Sequence, residues 1–536
     1  MSVTVFQNAT VFDGVAYRGQ VGDVVVDRGR IIGIGADTTP VGARVVDVAG
    51  GLLLPGFTDA HVHPVQGGLE RLGCDLSGLE ADRGAYLEHI RDYADAHRDL
   101  DWIQGGGWAM AAFPGGLPTA RELDEVVPDR PVALANRDHH GLWVNSVALL
   151  AAGVSARTPD PADGHVERDA DGQPSGVLHE GAMQLLADVL PPADDAELYA
   201  ALLEGQRYLH SLGVTSWQDA IVGSYSGMRD AGPTYARAAA AGDLTGRVVG
   251  ALWWDRERGT EQVAELLAKR EAYTHGRFAA TAVKIMQDGI AENGTAALVE
   301  PYLDRCGHAT GNSGLSFVEP GRLRQYVGEL DGLGFQVHFH GLGDRSVREA
   351  LDALEGTDPA HRHHIAHLQL VHPDDLARFR DVGVAANIQA LWACNDDQMT
   401  ELTIPFLGAE RGGRQYPFGD LYAAGARLVA GSDWPVSTPD PLAAIHTAVH
   451  RTSYGEPAPA GTEPFLPDQA LGIETAFAAY TSGSAWVNHR DDAGTISPGA
   501  VADLVVLDRD PFQDPQEIGA ARVRSTWIDG ECVYEA

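Results

Sequence analysis

Leu52-Leu53-Leu54-Pro55-Gly56-Phe57-Thr58-Asp59-Ala60-His61-Val62-His63 is the stretch from which the rest of the chain is read. It is an apolar run that closes on a His-x-His pair, the pattern of a buried strand ending in polar groups. Residues two apart on a strand face the same side. His61 and His63 therefore project together, spaced to hold one metal ion between two imidazoles. An isolated His-x-His is as often a surface or core pair. Here the apolar lead-in, the Pro-Gly before it and Asp59 beside it favour a metal site.

On the N-terminal side, Val3-Thr4-Val5-Phe6, Asp23-Val24-Val25-Val26-Asp27 and Arg30-Ile31-Ile32-Gly33-Ile34 are β-branched runs broken by turn residues. The far end has the same texture in Ala502–Asp508 and Val523–Gly530. Two strand-rich ends predict one small β-sandwich domain built from residues 1–54 and 488–536.

Between them, residues 55–487 follow another rhythm. Four times a helical pattern ends in glycine and a strand follows, at Gly213, Gly334, Gly383 and Gly425. Glycine is the natural helix C-cap because it accepts the left-handed conformation. The helix before Gly213 opens with an Asp194-x-x-Glu197 capping box. Repeated helix–Gly–strand units mean parallel strands with crossover helices, and over this length they predict an α/β fold of the (β/α)8 TIM barrel type. Residues 66–195 interrupt the rhythm with Gly, Pro and aromatic residues and read as an insertion over the active face. Residues 453–467 read as a Pro/Gly/Glu loop.

The chain has 39 basic and 75 acidic residues, a net charge of −36, which argues against nucleic-acid or anionic-membrane partners. The four cysteines, Cys74, Cys306, Cys394 and Cys532, are scattered without a C-x-x-C. Disulfides are not expected and a zinc ribbon is excluded. With no secretory leader pattern and no apolar run of about 20 residues, a cytoplasmic protein is expected.

Barrel enzymes carry their chemistry at the C-terminal strand ends. The strand runs there close on His340, His367 and Asp433, and a lysine, Lys284, sits inside the apolar run Ala280–Met286. Histidine and aspartate are ligands that a borderline divalent ion such as zinc accepts. His338 shares a face with His340 and reads as a supporting residue. His361, His363 and His364 read as structural. Burial lowers the pKa of a lysine. Lys284 either pairs with a carboxylate such as Asp288 or is neutral and reacts with CO2, giving a carbamate whose two oxygens bridge two metals.

The set His61-x-His63, Lys284, His340, His367 and Asp433, with Gly176–Gly181, Val283–Gly289, His340–Arg345, Ile365–Val371, Gly431–Val436 and Gly499–Leu504, resembles the amidohydrolase superfamily. It looks most like the amidohydrolase-3 branch, which contains the N-substituted formamide deformylases. The resemblance implies a binuclear centre of two divalent ions, with zinc expected. His61, His63 and Asp433 would hold one ion, His340 and His367 the other, and carbamylated Lys284 would bridge them. A homodimer is a family-level expectation.

The expected reaction is hydrolysis of an amide-type C–N bond in a small apolar or aromatic substrate by a metal-bridging hydroxide, with Asp433 moving the proton. Trp108, His140, Trp392 and Trp434, with Phe113 and Trp143, are candidates to line the substrate pocket. An ester, carbamate or lactone hydrolase on the same centre, a single-metal deaminase or cyclic amide hydrolase, and a non-catalytic scaffold are the rivals.

Overall fold

The computed structural model describes residues 3–36, 40–161, 163–187, 189–225, 228–454 and 463–536. Residues 455–462 of the expected loop at 453–467 lie outside them.

Eight parallel strands form a nearly closed barrel. In chain order they are Phe57–Val62, Val214–Val222, Arg247–Trp253, Phe278–Met286, Gln336–Gly341, His364–His367, Ala385–Ile388 and Arg427–Ala430. Phe57–Val62 and Gln336–Gly341 are buried along their whole length. Strands covered on both faces carry continuous apolar runs rather than alternation. The eighth strand returns to the first at the C-terminal end, where Asp433 N–H donates to His61 O at 2.7 Å, and Asn387 Nδ2 of the seventh strand reaches across to Ala60 O at 3.0 Å.

The four glycines end their helices as the sequence predicts, with φ of 83° at Gly213, 76° at Gly334, 80° at Gly383 and 87° at Gly425. The helix Asp195–Ser211 has the expected capping box, Asp194 accepting from the Ala196 and Glu197 amides and Glu197 from that of Asp194.

The opening stretch is not one strand. It divides at Gly56. Leu52–Pro55 joins the terminal sheet, antiparallel to Leu504–Leu507, and Phe57–Val62 begins the barrel. A Cβ at Gly56 would lie 2.3 Å from Thr215 Oγ1, so only glycine lets the chain pass the second barrel strand here. Both termini supply strands to one eight-stranded hydrogen-bonded sheet. It encloses its own core, including Phe6, Val11, Val24, Leu53, Leu504, Val506 and Trp527.

The interruption after the first barrel strand is a folded unit. Six strands between Cys74 and Glu180 make a separate sheet. The aromatic residues read as loop side chains are its core: Trp108, Phe113 and Trp143 pack with Tyr86 and Ile90. Among the described residues no helix is long and apolar enough to cross a membrane.

Gly431 links fold to site. A Cβ there would lie 2.6 Å from both the backbone nitrogen and the Cβ of His61. Gly431→Ala is expected to push the eighth strand off the first and to cost about 1–3 kcal/mol, the range for overpacking. Urea unfolding measures the cost, and metal content should fall with it because His61 and Asp433 move apart.

Candidate metal centre

His61 is on the first barrel strand, His340 on the fifth and His367 ends the sixth. His63 follows the first strand as the cap of helix Pro64–Leu72. Asp433 follows the eighth strand. Lys284 lies on the fourth, in register with His338 of the fifth. These six expected ligands meet at one barrel mouth.

Asp433 Oδ1 lies 3.1 Å from His61 Nε2 and 3.0 Å from His63 Nε2. Its Oδ2 is 3.8 Å from His367 Nδ1. The rings of His61 and His367 are 4.7 Å apart, and those of His340 and His367 4.3 Å. Ligand atoms of His61, His367 and Asp433 all lie within 4.8 Å of one another.

Burial sets the charges. It pushes His61 down to about 3, helped by the Lys284 charge, and holds His340 low and His367 well below the usual imidazole range. These rings are neutral and offer lone pairs. Burial alone would raise Asp433, but the imidazoles of His61 and His63, both in contact with its Oδ1, hold its carboxyl well below the usual range. Burial brings Lys284 down to about 7. Asp288, the alternative partner for Lys284, is engaged elsewhere. It accepts from the amides of Ala297, Leu342 and Gly343 and from Ser346 Oγ, and sits 3.3 Å from His340 Nδ1. No described residue hydrogen-bonds or ion-pairs with the Lys284 amine.

The donor set fits a divalent cation. Nδ1 of His63 and both ring nitrogens of His367 are buried without a hydrogen-bond partner, an arrangement that is rare unless something else satisfies the atoms. The backbone is strained at the same place: φ is 81° at His367, 51° at Leu368, 58° at Asp433, 62° at His139 and 51° at Glu180. Each such residue costs of order 1–3 kcal/mol, and such residues cluster at functional sites.

His338 proves a support. Its Nε2 meets His61 Nδ1 at 2.8 Å and its Nδ1 meets Gln218 Oε1 at 2.6 Å, fixing which His61 nitrogen faces the centre. Asp59 holds the amides of His61 and Ser432, tying the first and eighth strand ends together.

The sequence profile described as "Amidohydrolase family" matches residues 44–534. The chain belongs to the amidohydrolase family. It is 28% identical to the N-substituted formamide deformylase of Arthrobacter pascens, over 96% of this chain and 94% of that one. It is equally 28% identical to the protein LONG AFTER FAR-RED 3 of Arabidopsis thaliana, over 98% and 91%. Among solved structures, an uncharacterized metal-dependent hydrolase from Pyrococcus horikoshii superposes with a TM-score of 0.73 and 25% identity, covering 95% of this chain and 98% of that one. This amidohydrolase is therefore an enzyme, a hydrolase on the barrel fold its sequence predicts.

The four substrate candidates divide. His140 faces the centre, its ring 5.9 Å from that of His340. Trp392 stacks on His367 at 5.6 Å. Trp434 is buried against Gly67 and Tyr208, and its carbonyl accepts from His63 N–H. Trp108 is a correction. It is 0% exposed, donates its indole N–H to Leu134 O and packs on Phe113 and Trp143. Its aromatic surface goes to filling the insertion's core.

Glu180 was not singled out from the sequence, though it lies in the quoted stretch Gly176–Gly181. It is buried, and its Oε2 holds His140 Nδ1 at 2.9 Å. Burial pushes His140 down, but the charge and hydrogen bond of Glu180 overcome it and raise the imidazole to about 9. The amidohydrolase thus carries a cationic imidazole beside its neutral ones.

Proposed function

We propose that this amidohydrolase hydrolyses an amide-type C–N bond of a small apolar or aromatic substrate at a centre for two divalent ions. One observation carries the reading: neutral buried imidazoles, orphaned ring nitrogens, an ionised Asp433 and an unpaired lysine converge on one barrel mouth. His61, His63 and Asp433 would hold one ion, His340 and His367 the other, with Lys284 between them. Bound divalent ions, zinc foremost, lower the pKa of water towards about 7 and polarise a carbonyl.

The chain's own groups supply the rest. Asp433 Oδ1 is occupied by two imidazoles, which leaves Oδ2 freer to take a proton from the attacking water and return it to the leaving nitrogen. His140, held as a cation by Glu180, donates to the substrate's carbonyl oxygen as negative charge grows there. Trp392 offers an apolar wall beside His367. N-formyl amines, the compounds named by the Arthrobacter relative, are the first to screen, followed by aryl amides, carbamates and esters.

Lys284 is the carbamate candidate. Its neutral amine would attack the carbon of CO2, form the N–C bond and release one proton, leaving a carboxylate on Nζ. Only the neutral amine reacts, so the pH dependence has a definite sign. Carbamate formation should plateau above about pH 7 and fall about tenfold per unit below it. Carbon-13 NMR with labelled bicarbonate measures this. A resonance absent at pH 8 in the metal-loaded protein would overturn the assignment.

A single-ion reading has one observation in its favour: among the described residues, only His61, His367 and Asp433 bring ligand atoms within 4.8 Å of one another at this mouth. Elemental analysis of protein grown with zinc and bicarbonate, with the ions lost on replacing His61 and His63 by alanine counted as those of the barrel mouth, separates the two. About two ions at the barrel mouth support the proposed centre, about one supports a deaminase or cyclic amide hydrolase, and none would overturn both.

A further inference from the structure

A second group of metal-ligating side chains lies on the insertion. His165 and Glu167 are on the strand Gly164–Arg168, and His179 is on its antiparallel neighbour Pro174–Glu180. His165 and His179 are paired directly in register, and Glu167 follows His165 on the same face two residues on. The two imidazoles stack, with centroids 4.5 Å apart. Glu167 Oε1 lies 2.8 Å from His165 Nε2 and 3.3 Å from His179 Nε2.

His179 needs an explanation. It is 2% exposed, yet its Nδ1 has no hydrogen-bond partner and its Nε2 meets only Glu167 Oε1, at 3.3 Å and outside hydrogen-bond geometry. A buried polar group left unpaired costs about 1–3 kcal/mol. The other two side chains reach solvent, 40% exposed at His165 and 22% at Glu167, so an ion has a way in and water can complete its coordination.

We propose that His165, Glu167 and His179 form a second divalent-metal site, separate from the barrel centre and suited to zinc. Tetrahedral zinc with bonds of about 2.0–2.2 Å holds its ligand atoms roughly 3.3 Å apart. Of the two separations from Glu167 Oε1, the 3.3 Å to His179 matches that spacing, and the 2.8 Å to His165 needs a small outward shift of the exposed His165 ring. The ion satisfies one of the two His179 ring nitrogens and pins the two strands one residue before Glu180, the group that holds His140. The site thereby fixes the strand that carries Glu180.

The test compares zinc content of the wild-type protein with that of His165→Ala, after loading with zinc and desalting. His165 is half-exposed, which makes the substitution tolerable to the fold, and Glu167→Gln serves as a second variant. Each variant should carry one ion fewer per chain than wild type, however many the barrel centre holds. Cobalt-loaded wild type should show visible tetrahedral absorption that drops in both variants. Zinc should also slow ethoxyformylation of His165 by at least tenfold in the wild-type protein, read by peptide mass spectrometry. Equal zinc content in all three proteins, or labelling of His165 at the same rate with and without zinc, would overturn the site.

Discussion

Asp433→Asn should lower kcat by about 10²–10⁴-fold, the range a positioned acid–base group contributes. Asparagine keeps the size of the side chain and one carbonyl oxygen, so the backbone turn at φ 58° and the amide bond to His61 O are preserved. What disappears is an oxygen that can carry a proton. The burial that would raise this carboxyl is overcome by His61 and His63, which keeps it ionised and ready to accept. Metal content measured on the same sample divides the loss. A fall in kcat with metal unchanged assigns it to proton transfer, and a parallel fall in metal assigns it to coordination. Full activity with full metal content would sink the role given to Asp433.

Glu180→Gln should lower kcat/KM at pH 8 by about 10²–10³-fold, the cost of losing one preorganised donor to a developing oxyanion. The sign follows from the pair. In the wild type, Glu180 lifts His140 to about 9, so the imidazole is charged through neutral pH and activity falls as pH rises through 9. Without the carboxylate, the burial that already pushes His140 down is offset only by the charges of Asp138 and Asp433. The alkaline limb should then move to lower pH, with activity partly recovered on acidification. The pH profile of kcat/KM reads this, and an alkaline limb unmoved in the variant would remove His140 from the mechanism. The same pair contributes to folding. That contribution is complete below the ordinary imidazole value and is lost as pH rises through about 9. Against its burial, Glu180 is held low by the charge and hydrogen bond of His140, and Thr295 adds a hydrogen bond to Oε1 at 2.9 Å.

Much of this was legible because barrel strands announce themselves. Gly213, Gly334, Gly383 and Gly425 each mark a helix end whose conformation only glycine adopts without strain, and the apolar run after each is long enough to be a buried strand. The ligands were legible for the same reason. His61, His340, His367 and Asp433 stand where apolar runs stop, and side chains at C-terminal strand ends have one mouth to face. Lys284 was conspicuous as a charge inside an apolar run.

Other features were not legible, because they depend on which residues meet across the chain. Trp108 and Trp392 look alike as sequence. One fills the core of a separate sheet and the other stacks on a ligand, because their neighbours come from different elements. Glu180 is an ordinary acidic residue until the strand Pro174–Glu180 lies beside Gly141–Val144 and brings it to His140. Asp288 was as good a partner for Lys284 as any carboxylate, and it is spent on backbone amides around His340.

By itself, the sequence determined the barrel, the contribution of both termini to one sheet and the six candidate ligands that meet at the barrel mouth. All three follow from local periodicity and from the residue types that end each strand. Only the tertiary structure decided the break at Gly56, the charge states of Lys284 and His140, the support that His338 gives His61, and the core role of Trp108. Burial, close approach and pairing between distant residues set those properties, and no run of neighbouring residues encodes them.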